Sequence, residues 1–475
     1  MGETVLFSTL FPKSISMLRR SGIEKIHGAA LQVLEEVGVM FESGEALQVL
    51  KANGAEVRGS VAHIPEELVK ECLKKAPSSI SLYDLDGKLS CRLGGDEVFF
   101  NPGSTASWYI DENGVRRRPF YRDMVVFSQV VEKLPFLHMQ STALVVQDVE
   151  EDLRAASRLT AVLEHARKPV VTGIFKEDDL EKMFTLLSRF TEPGKPVAIF
   201  DACPNSPLRW SSHLSRSIIE CARRNVPSTF ISMPMPFICS PPTLAGSLVQ
   251  HHAENLSGIV LAECAAPGAS VIYGGSPSLL GKTPLMSHPG VLKLILAYNQ
   301  VGKSLGIPTQ AYLGVSDSLV VDERAFVESA YCLTMGRRAG VNVVSGPGML
   351  EGEKTQSILK LVLDSLVCEN SFTRGLPLVN SVLETVESTD VYSYCSTLEK
   401  GVEVDEETLC LRLIREVGPG GSFLKPKHVR EYQSVFSREF SMPSLGGFQR
   451  EPLRRLFEEA RREAASLLTG FLKSL

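Results

Sequence analysis

Residues 308–354 read PTQAYLGVSDSLVVDERAFVESAYCLTMGRRAGVNVVSGPGMLEGEK, and this stretch decides the predicted fold. An apolar run over 309–313 leads into a polar loop. A helix pattern follows that begins with Asp322 and Glu323 and ends with two arginines and a glycine, in agreement with the helix dipole and a glycine C-cap. A second apolar run over 341–344 comes next. The order strand, helix, strand predicts a βαβ unit of a parallel sheet.

The same alternation of short apolar runs and longer helical stretches recurs through the middle of the chain. Candidate strands are Val98–Asn101, Leu137–Thr142, Pro169–Ile174, Val197–Asp201, Ser228–Ser232, Ser270–Gly274, Thr309–Leu313 and Val341–Ser345, and candidate helices include Glu151–His165, Asp178–Phe190, Ser212–Asn225, Pro241–Cys264 and Glu353–Cys368. Eight such units over roughly 250 residues predict an α/β fold, a closed (β/α)8 TIM barrel. An open doubly wound sheet is the alternative, and no GxGxxG follows the first strand to favour it.

Two segments with different patterns flank the barrel. We predict a small N-terminal α+β cap over 1–96, the barrel over 97–370, and a helical extension over 371–475. The cap combines helix patterns with a hairpin signal at Asp86 and Gly87. The extension contains candidate helices over 402–414 and 452–472. We expect the extension to pack on the barrel or to join subunits, and the protein to be a homo-oligomer.

The composition excludes several classes of partner. The chain has 475 residues, 44% of them hydrophobic, with a net charge of −5 and no basic tract, so nucleic acid is not an expected partner. No apolar run reaches the roughly 20 residues that span a bilayer, and the first residues do not read as a signal peptide, so no membrane is expected. The ten cysteines are scattered without a CxxC pair, which predicts buried thiols and a cytoplasmic location.

In a barrel of this type the functional site lies at the carboxyl ends of the strands. The residues at those positions are Asn101, Ser104, Trp108, Thr142, Asp201, Cys203, Asn205, Met233, Met235, Tyr273, Tyr312, Ser316, Asp317 and Ser345. The set lacks histidine, and neither Cys203 nor Cys239 accompanies an HxH or HExxH string, so we predict no zinc. His251 and His252 are interpreted as core residues. The turn at 345–348 is interpreted as a tight turn in preference to an anion site.

The residues that remain suit a cation. Tyr273, Tyr312, Trp108 and Tyr109 can form an aromatic box, and Asp201 or Asp317 can add a counter-charge. Such a box attracts a desolvated quaternary ammonium by ~2 kcal/mol or more. The alternative for each aromatic ring is ordinary packing in the core.

Several strings together resemble the trimethylamine methyltransferase family. They are HGAALQVLEEVGVMFES near the start, then SPPTLAGSLVQHHAENLSGIVLAECAAPGASVIYGG, YLGVSDSLVVDERA, NVVSGPGMLEGEKTQS and GPGGSFLKPKH. The resemblance covers about 23–450 in the family's order. It implies a (β/α)8 barrel, and thus the same fold as the strand pattern.

The resemblance also implies an activity. Members of the family move a methyl group from a methylated amine to the Co(I) of a corrinoid held by a separate small protein. The founding trimethylamine enzymes carry pyrrolysine in the region that we align with 312–319, where this chain reads YLGVSDSL. Relatives without pyrrolysine use quaternary amines, so we expect glycine betaine as the donor, with proline betaine or carnitine as alternatives. A quaternary nitrogen leaves as a neutral amine, so no proton donor and no zinc is needed.

On this hypothesis each candidate residue has a role. Tyr273, Tyr312 and Trp108 bind the cation, Asp201 or Asp317 balances its charge, and Asn101, Asn205 and Ser316 bind the substrate carboxylate. The corrinoid comes from the partner protein, because no histidine lies in a DxHxxG string. We expect the preference for quaternary amines to be nearly independent of pH between about 6 and 8, since the donor's charge is fixed. A non-catalytic betaine-binding barrel and a zinc thiol methyltransferase are the rival hypotheses.

Overall fold

Eight parallel strands, each followed by a helix, form the centre of the molecule. The computed structural model describes residues 15–281, 284–372, 401–406, 408–440 and 451–475. The strands are β1 (Phe99–Asn101), β2 (Gln140–Ser141), β3 (Val170–Thr172), β4 (Ala198–Ala202), β5 (Ser228–Ser232), β6 (Val271–Gly275), β7 (Gln310–Tyr312) and β8 (Val343–Ser345). The helices are α1 (Tyr121–Lys133), α2 (Arg154–His165), α3 (Glu177–Leu187), α4 (Ser212–Arg223), α5 (Leu244–Ala265), α6 (Pro289–Ser304), α7 (Glu323–Arg338) and α8 (Ile358–Phe372).

The strands close into a ring. Strands β2 to β6 form one parallel sheet in chain order, and β7, β8 and β1 form a second. A parallel bridge between Tyr273 and Thr309 joins β6 to β7. The other junction is made by the backbone N–H of His138, which donates to the carbonyl of Phe100 at 2.8 Å. The predicted (β/α)8 barrel is therefore confirmed.

Strand alternation separates an apolar and a polar layer inside the barrel. The apolar layer lies near the start of the strands and includes Met139, Val171, Ile199, Ile272 and Val343. An antiparallel hairpin, Ser79–Tyr83 with Leu89–Gly94, packs Ile80, Leu82 and Leu93 against this layer and fills that end of the barrel. Two residues further along the strands the inward positions are Asn101, Asp201, Gly274 and Ser345. The inward polar side chains therefore lie at the carboxyl end of the strands.

The N-terminal segment is an α+β cap, as the pattern predicted. Its helices are Arg20–Gln32, Gly44–Ala52 and Glu66–Lys75, with a π-helical turn over Val33–Val37, and its strands are Val39–Phe41, Glu56–Arg58 and Val61–His63. The first of these strands pairs with Arg209–Trp210 from the loop after β4, in parallel register. Cap and barrel therefore share one small sheet.

The C-terminal segment contributes helices to the outside of the barrel. These are Leu411–Val417, Pro426–Glu439 and Glu451–Lys473, the last of which packs against α1, α7 and α8. The helix expected over 402–414 is shorter than predicted, because Asp405 forms a turn in which its carboxylate accepts the N–H of Thr408 at 2.8 Å. Two segments that bear on the predictions lie outside the described residues. They are residues 373–400, next to the expected domain boundary at 371, and residues 1–14, for which no signal peptide is expected.

Three helices begin later than the sequence pattern indicated, and in α2 the expected first turn, Glu151–Leu153, is a 3-10 helix. Helix α5 begins at Leu244, because the hydroxyl of Thr243 accepts the N–H of Gly246 at 3.0 Å and acts as its N-cap. Helix α8 begins at Ile358 and not at residue 353. The residues before it form an antiparallel hairpin, Met349–Leu350 with Thr355–Ser357. None of the helices in the described ranges has the length and apolar character that a bilayer crossing requires.

Candidate active site at the barrel mouth

A connected set of polar side chains forms the floor of the barrel mouth. The Ser345 hydroxyl donates to Asn101 Oδ1 at 2.8 Å, and Gln310 Nε2 donates to Ser345 Oγ at 3.1 Å. Gln310 Oε1 accepts the N–H of Gly275 at 3.3 Å, and Asn101 Nδ2 donates to the carbonyl of Pro102 at 2.9 Å. The chain links four neighbouring strands, and such satisfied buried networks hold their members in fixed orientations.

Two carboxylates border this floor. Asp201 ends the inward row of β4 and accepts a hydrogen bond from the Thr229 hydroxyl. Glu353 comes from the hairpin turn after β8, where its backbone φ is +73°, and its Oε1 accepts the hydroxyl of Ser276 at 2.6 Å. Asp201 Oδ1 is enclosed and has no hydrogen-bond partner within the described part of the chain. One buried acceptor oxygen in the mouth is thus left unsatisfied by the described residues.

Burial controls the charge of both acids. It raises the pKa of Asp201 to about 8, and the nearby charge of Glu353 adds to the shift. Burial likewise raises the pKa of Glu353 to about 7. Both residues, counted with their backbone, nevertheless keep part of their surface accessible to solvent. Carboxyl groups whose pKa is raised by burial in this way are frequent in functional sites.

Tyr312 and Cys203 complete the mouth. The pKa of each is raised by burial first, with further contributions from the charges of Asp201 and Glu353. The four side chains therefore act on one another electrostatically within one site. Because the Cys203 thiol stays protonated near neutral pH, the structure does not make it a nucleophile.

Two of the aromatic residues expected in the site lie elsewhere. Tyr273 points into the helix layer, where its hydroxyl lies 3.2 Å from His251 Nδ1 and 3.1 Å from His252 Nδ1. The ring of Trp108 lies 4.0 Å from the guanidinium carbons of both Arg116 and Arg118. Tyr273 thus faces away from the mouth, and Trp108 already binds the chain's own cations.

Three polar candidates have structural partners or lie outside the mouth. Asp317 accepts the N–H of Met286 and the hydroxyl of Ser287, both at 2.7 Å, and so anchors the loop after β6. The Ser316 hydroxyl donates to Glu328 on α7 at 2.6 Å. Asn205 is exposed on the loop after β4. Of the predicted set, the structure brings together Asp201 and Tyr312 at the end of the barrel that contains Asn101.

Other expectations from the sequence can be placed as well. His251 and His252 are buried, and burial lowers the pKa of His251 to about 3, in agreement with their interpretation as core residues. In the turn at 345–348, the N–H of Gly348 donates to Asp364 Oδ2 at 2.7 Å. This N–H is therefore already bonded within the protein, in agreement with a tight turn. The described residues contain no group of three or more His, Cys, Asp or Glu arranged to hold a metal ion.

Glu353 is the residue that sequence reasoning missed. The pattern assigned it to the first turn of the last helix, where an acidic residue is common. The signal that could have revealed it is Gly352 between two glutamates, which is typical of a turn and not of a helix start. An acidic turn that directly follows a barrel strand belongs with the candidate site residues.

The chain matches a known family over most of its length. Residues 10–377 match the family described as trimethylamine methyltransferase. The trimethylamine methyltransferase MttB of Methanosarcina barkeri strain Fusaro is 30% identical over 443 residues, which cover 90% of this chain and 84% of that protein. The glycine betaine methyltransferase of Desulfitobacterium hafniense strain Y51 is 27% identical over 446 residues, with coverage of 92% and 87%.

A solved structure supports the fold independently. The monomethylamine methyltransferase MtmB of Methanosarcina barkeri superposes with a TM-score of 0.55 at 10% identity and covers 98% of this chain and 92% of that one. At that identity the likeness concerns the fold alone. With the barrel, its acidic mouth and the sequence match in place, the chain is an enzyme of the trimethylamine methyltransferase family.

Proposed function

We propose that this enzyme transfers a methyl group from a quaternary amine to the corrinoid of a separate small protein. The observation that carries the proposal is the mouth itself, in which the charges of Asp201 and Glu353 both act on Tyr312 at the carboxyl end of the barrel. Glycine betaine is the first donor to test, because it is a small quaternary amine and one relative is named for it. Proline betaine and carnitine are the next donors.

The side chains of the mouth suit the binding of such a donor. An ionised carboxylate and the face of an aromatic ring both attract a quaternary ammonium, and the ring contributes about 0.5–2 kcal/mol according to how dry the site is. The hydrogen-bonded floor beside them is fixed in orientation and would hold the donor's position, which matters because an in-line displacement needs the reacting atoms about 3–3.5 Å apart. The departing amine is neutral, so the mouth needs no proton donor.

The loops around the mouth offer a surface for the corrinoid protein. Exposed apolar residues occur on six of the loops that follow barrel strands: Val115, Phe120, Leu153, Phe175, Met233, Leu280, Leu319 and Val320. A corrinoid held by a protein that covers this surface would supply the methyl acceptor. The covering protein would also exclude water from the donor.

We further propose that the enzyme is cytoplasmic, works without zinc, and forms a homo-oligomer.

A methyl-transfer assay tests the proposal. The purified chain is incubated with cob(I)alamin and a panel of quaternary amines, and the demethylated amine is measured by mass spectrometry. We expect transfer from at least one donor, a loss of about tenfold or more in Tyr312→Ala, and near wild-type rates in Tyr312→Phe, because the ring face supplies the attraction. Donor binding without transfer across the panel would instead support a non-catalytic binding barrel.

A further inference from the structure

The charges at the barrel mouth are unbalanced. Two carboxylates, Asp201 and Glu353, lie there, and no lysine or arginine of the described ranges contributes to the pKa shift of either. The nearby bases are directed elsewhere. Arg324 pairs with Glu328 at 2.7 Å, and Arg116 pairs with Glu351 at 2.7 Å. Lys354, next in the chain to Glu353, is exposed to solvent.

A second observation marks this acidic pair as a ligand site. Asp201 Oδ1 is enclosed by protein but lacks a hydrogen-bond partner within the described residues. A buried acceptor without a partner costs roughly 1–3 kcal/mol, and a quaternary ammonium placed against it offsets part of that cost through charge attraction, since it has no N–H to donate. The Glu353 backbone also adopts a positive φ of +73°, which non-glycine residues rarely adopt, and this conformation presents its carboxylate to Ser276 in the mouth.

We infer that Asp201 and Glu353 select a methyl donor with net positive charge, that is, a quaternary ammonium without a carboxylate. This inference deepens the proposed function and rests on it only in placing the donor at the mouth. In glycine betaine the carboxylate is one methylene away from the nitrogen. A nitrogen bound at the two acids favours their ionised forms and brings that carboxylate close to them, and like charges repel. Tetramethylammonium has no carboxylate, so the two acids do not repel it.

The same pair couples cation binding to proton release. Each acid holds a proton more tightly than a carboxyl group in water, and a bound cation favours the ionised form, so binding expels a proton. The titratable groups that face the pair are Tyr312, Cys203 and Tyr298, and the pKa of each is raised, so they stay neutral near pH 7. Affinity for a net cation should therefore rise between about pH 6 and 8, by up to about tenfold per pH unit for each proton released.

Titration calorimetry on the full chain tests this inference without the methyl-transfer reaction. Tetramethylammonium and glycine betaine are titrated at pH 6, 7 and 8, each in two buffers of different ionisation enthalpy, which reveals proton release. We expect tetramethylammonium to bind at least about tenfold more tightly at pH 8, with proton release and an affinity that rises with pH. Glu353→Gln should weaken its binding and reduce the pH dependence. Glu351→Gln is the matched control in the same turn and should change neither.

Other outcomes overturn the inference. Equal or tighter binding of glycine betaine would do so, as would betaine affinity that falls as the pH rises, since a protonated acid would then be donating to the betaine carboxylate. Failure of both compounds to bind at millimolar concentration would also contradict it. Because the wild-type pH series is sufficient, the result does not depend on the variants folding. Methyl transfer from glycine betaine would leave the proposed function standing while this inference fails.

Discussion

At the residue scale, Glu353 changes the view of the site that the sequence suggested. The predicted counter-charge was Asp201 or Asp317, and the structure provides Asp201 together with a glutamate from a turn. The sequence-based expectation of little pH dependence between pH 6 and 8 assumed that only the donor's charge matters. With carboxyl pKa values near 7 and 8 in the mouth, we now expect binding to vary over that range.

Removing the acid at 353 should stabilise the protein in a pH-dependent way. The folded pKa of Glu353 is raised from 4.5 to about 7, so the folded state holds this proton more tightly, and stability falls as the pH rises from 4.5 to about 7. Glu353→Gln removes that loss. We expect the variant to match wild type near pH 4 and to gain roughly 1–3 kcal/mol above pH 7.

The measurement is denaturant unfolding of wild type and variant at several pH values. An equal stability difference at every pH would show that the Glu353 carboxyl titrates as it does in water. The control is again Glu351→Gln. Glu351 lies in the same turn as Glu353 and pairs with Arg116, and its substitution should not produce a gain in stability that grows with pH.

At the element scale, strands were predictable from the sequence, whereas the directions of their side chains were not. All eight predicted strands exist, because short apolar runs bounded by polar loops are a strong signal. Strand β6 is buried at every position, so no alternation of apolar and polar residues shows which face Tyr273 occupies. Helix starts failed where a side-chain cap or a hairpin competes with the helix pattern. Glu353 was missed as a site residue because it lies in such a hairpin, which the pattern assigned to the start of a helix.

The loops after β7 and β8 are held by one buried ion pair. Lys360 on α8 donates to Asp364 at 2.5 Å, to the Ser329 hydroxyl at 2.7 Å and to the Gly314 carbonyl at 3.0 Å. Lys360→Met would leave Asp364 buried without its counter-charge. We expect a loss of about 3–5 kcal/mol in unfolding free energy.

Thermal unfolding of Lys360→Met against Lys354→Met checks this prediction. Lys354 is the exposed lysine of the preceding turn, and its substitution should change the stability by about 0.5 kcal/mol or less. A Lys360→Met variant as stable as this control would show that the pair does not support the rim.

At the scale of the whole molecule, the two ends of the barrel differ in what they expose. The hairpin fills one end, while apolar side chains surround the open mouth at the other. We expect Leu280→Asp and Val320→Asp to slow transfer to a cognate corrinoid protein by about tenfold or more, because charged groups in an apolar interface are costly. Transfer to free cob(I)alamin should be unchanged. Leu89→Asp, on the hairpin at the closed end, is the control.

Slower transfer to free cob(I)alamin in the two rim variants would mean that they damage the donor site and not the docking surface. An equal effect of Leu89→Asp would show that exposed apolar residues matter for solubility and not for docking. Either result would remove the proposed orientation of the partner over the mouth.

The central claim is that the mouth binds a quaternary amine and gives up its methyl group. Its most direct test is the demethylation rate of wild type with cob(I)alamin for a quaternary amine and for the tertiary amine derived from it. The account predicts that the quaternary amine loses one methyl group per cob(I)alamin consumed, and that the tertiary amine reacts at least about tenfold more slowly. Equal rates for the two amines, or no demethylation of any quaternary amine, would contradict it.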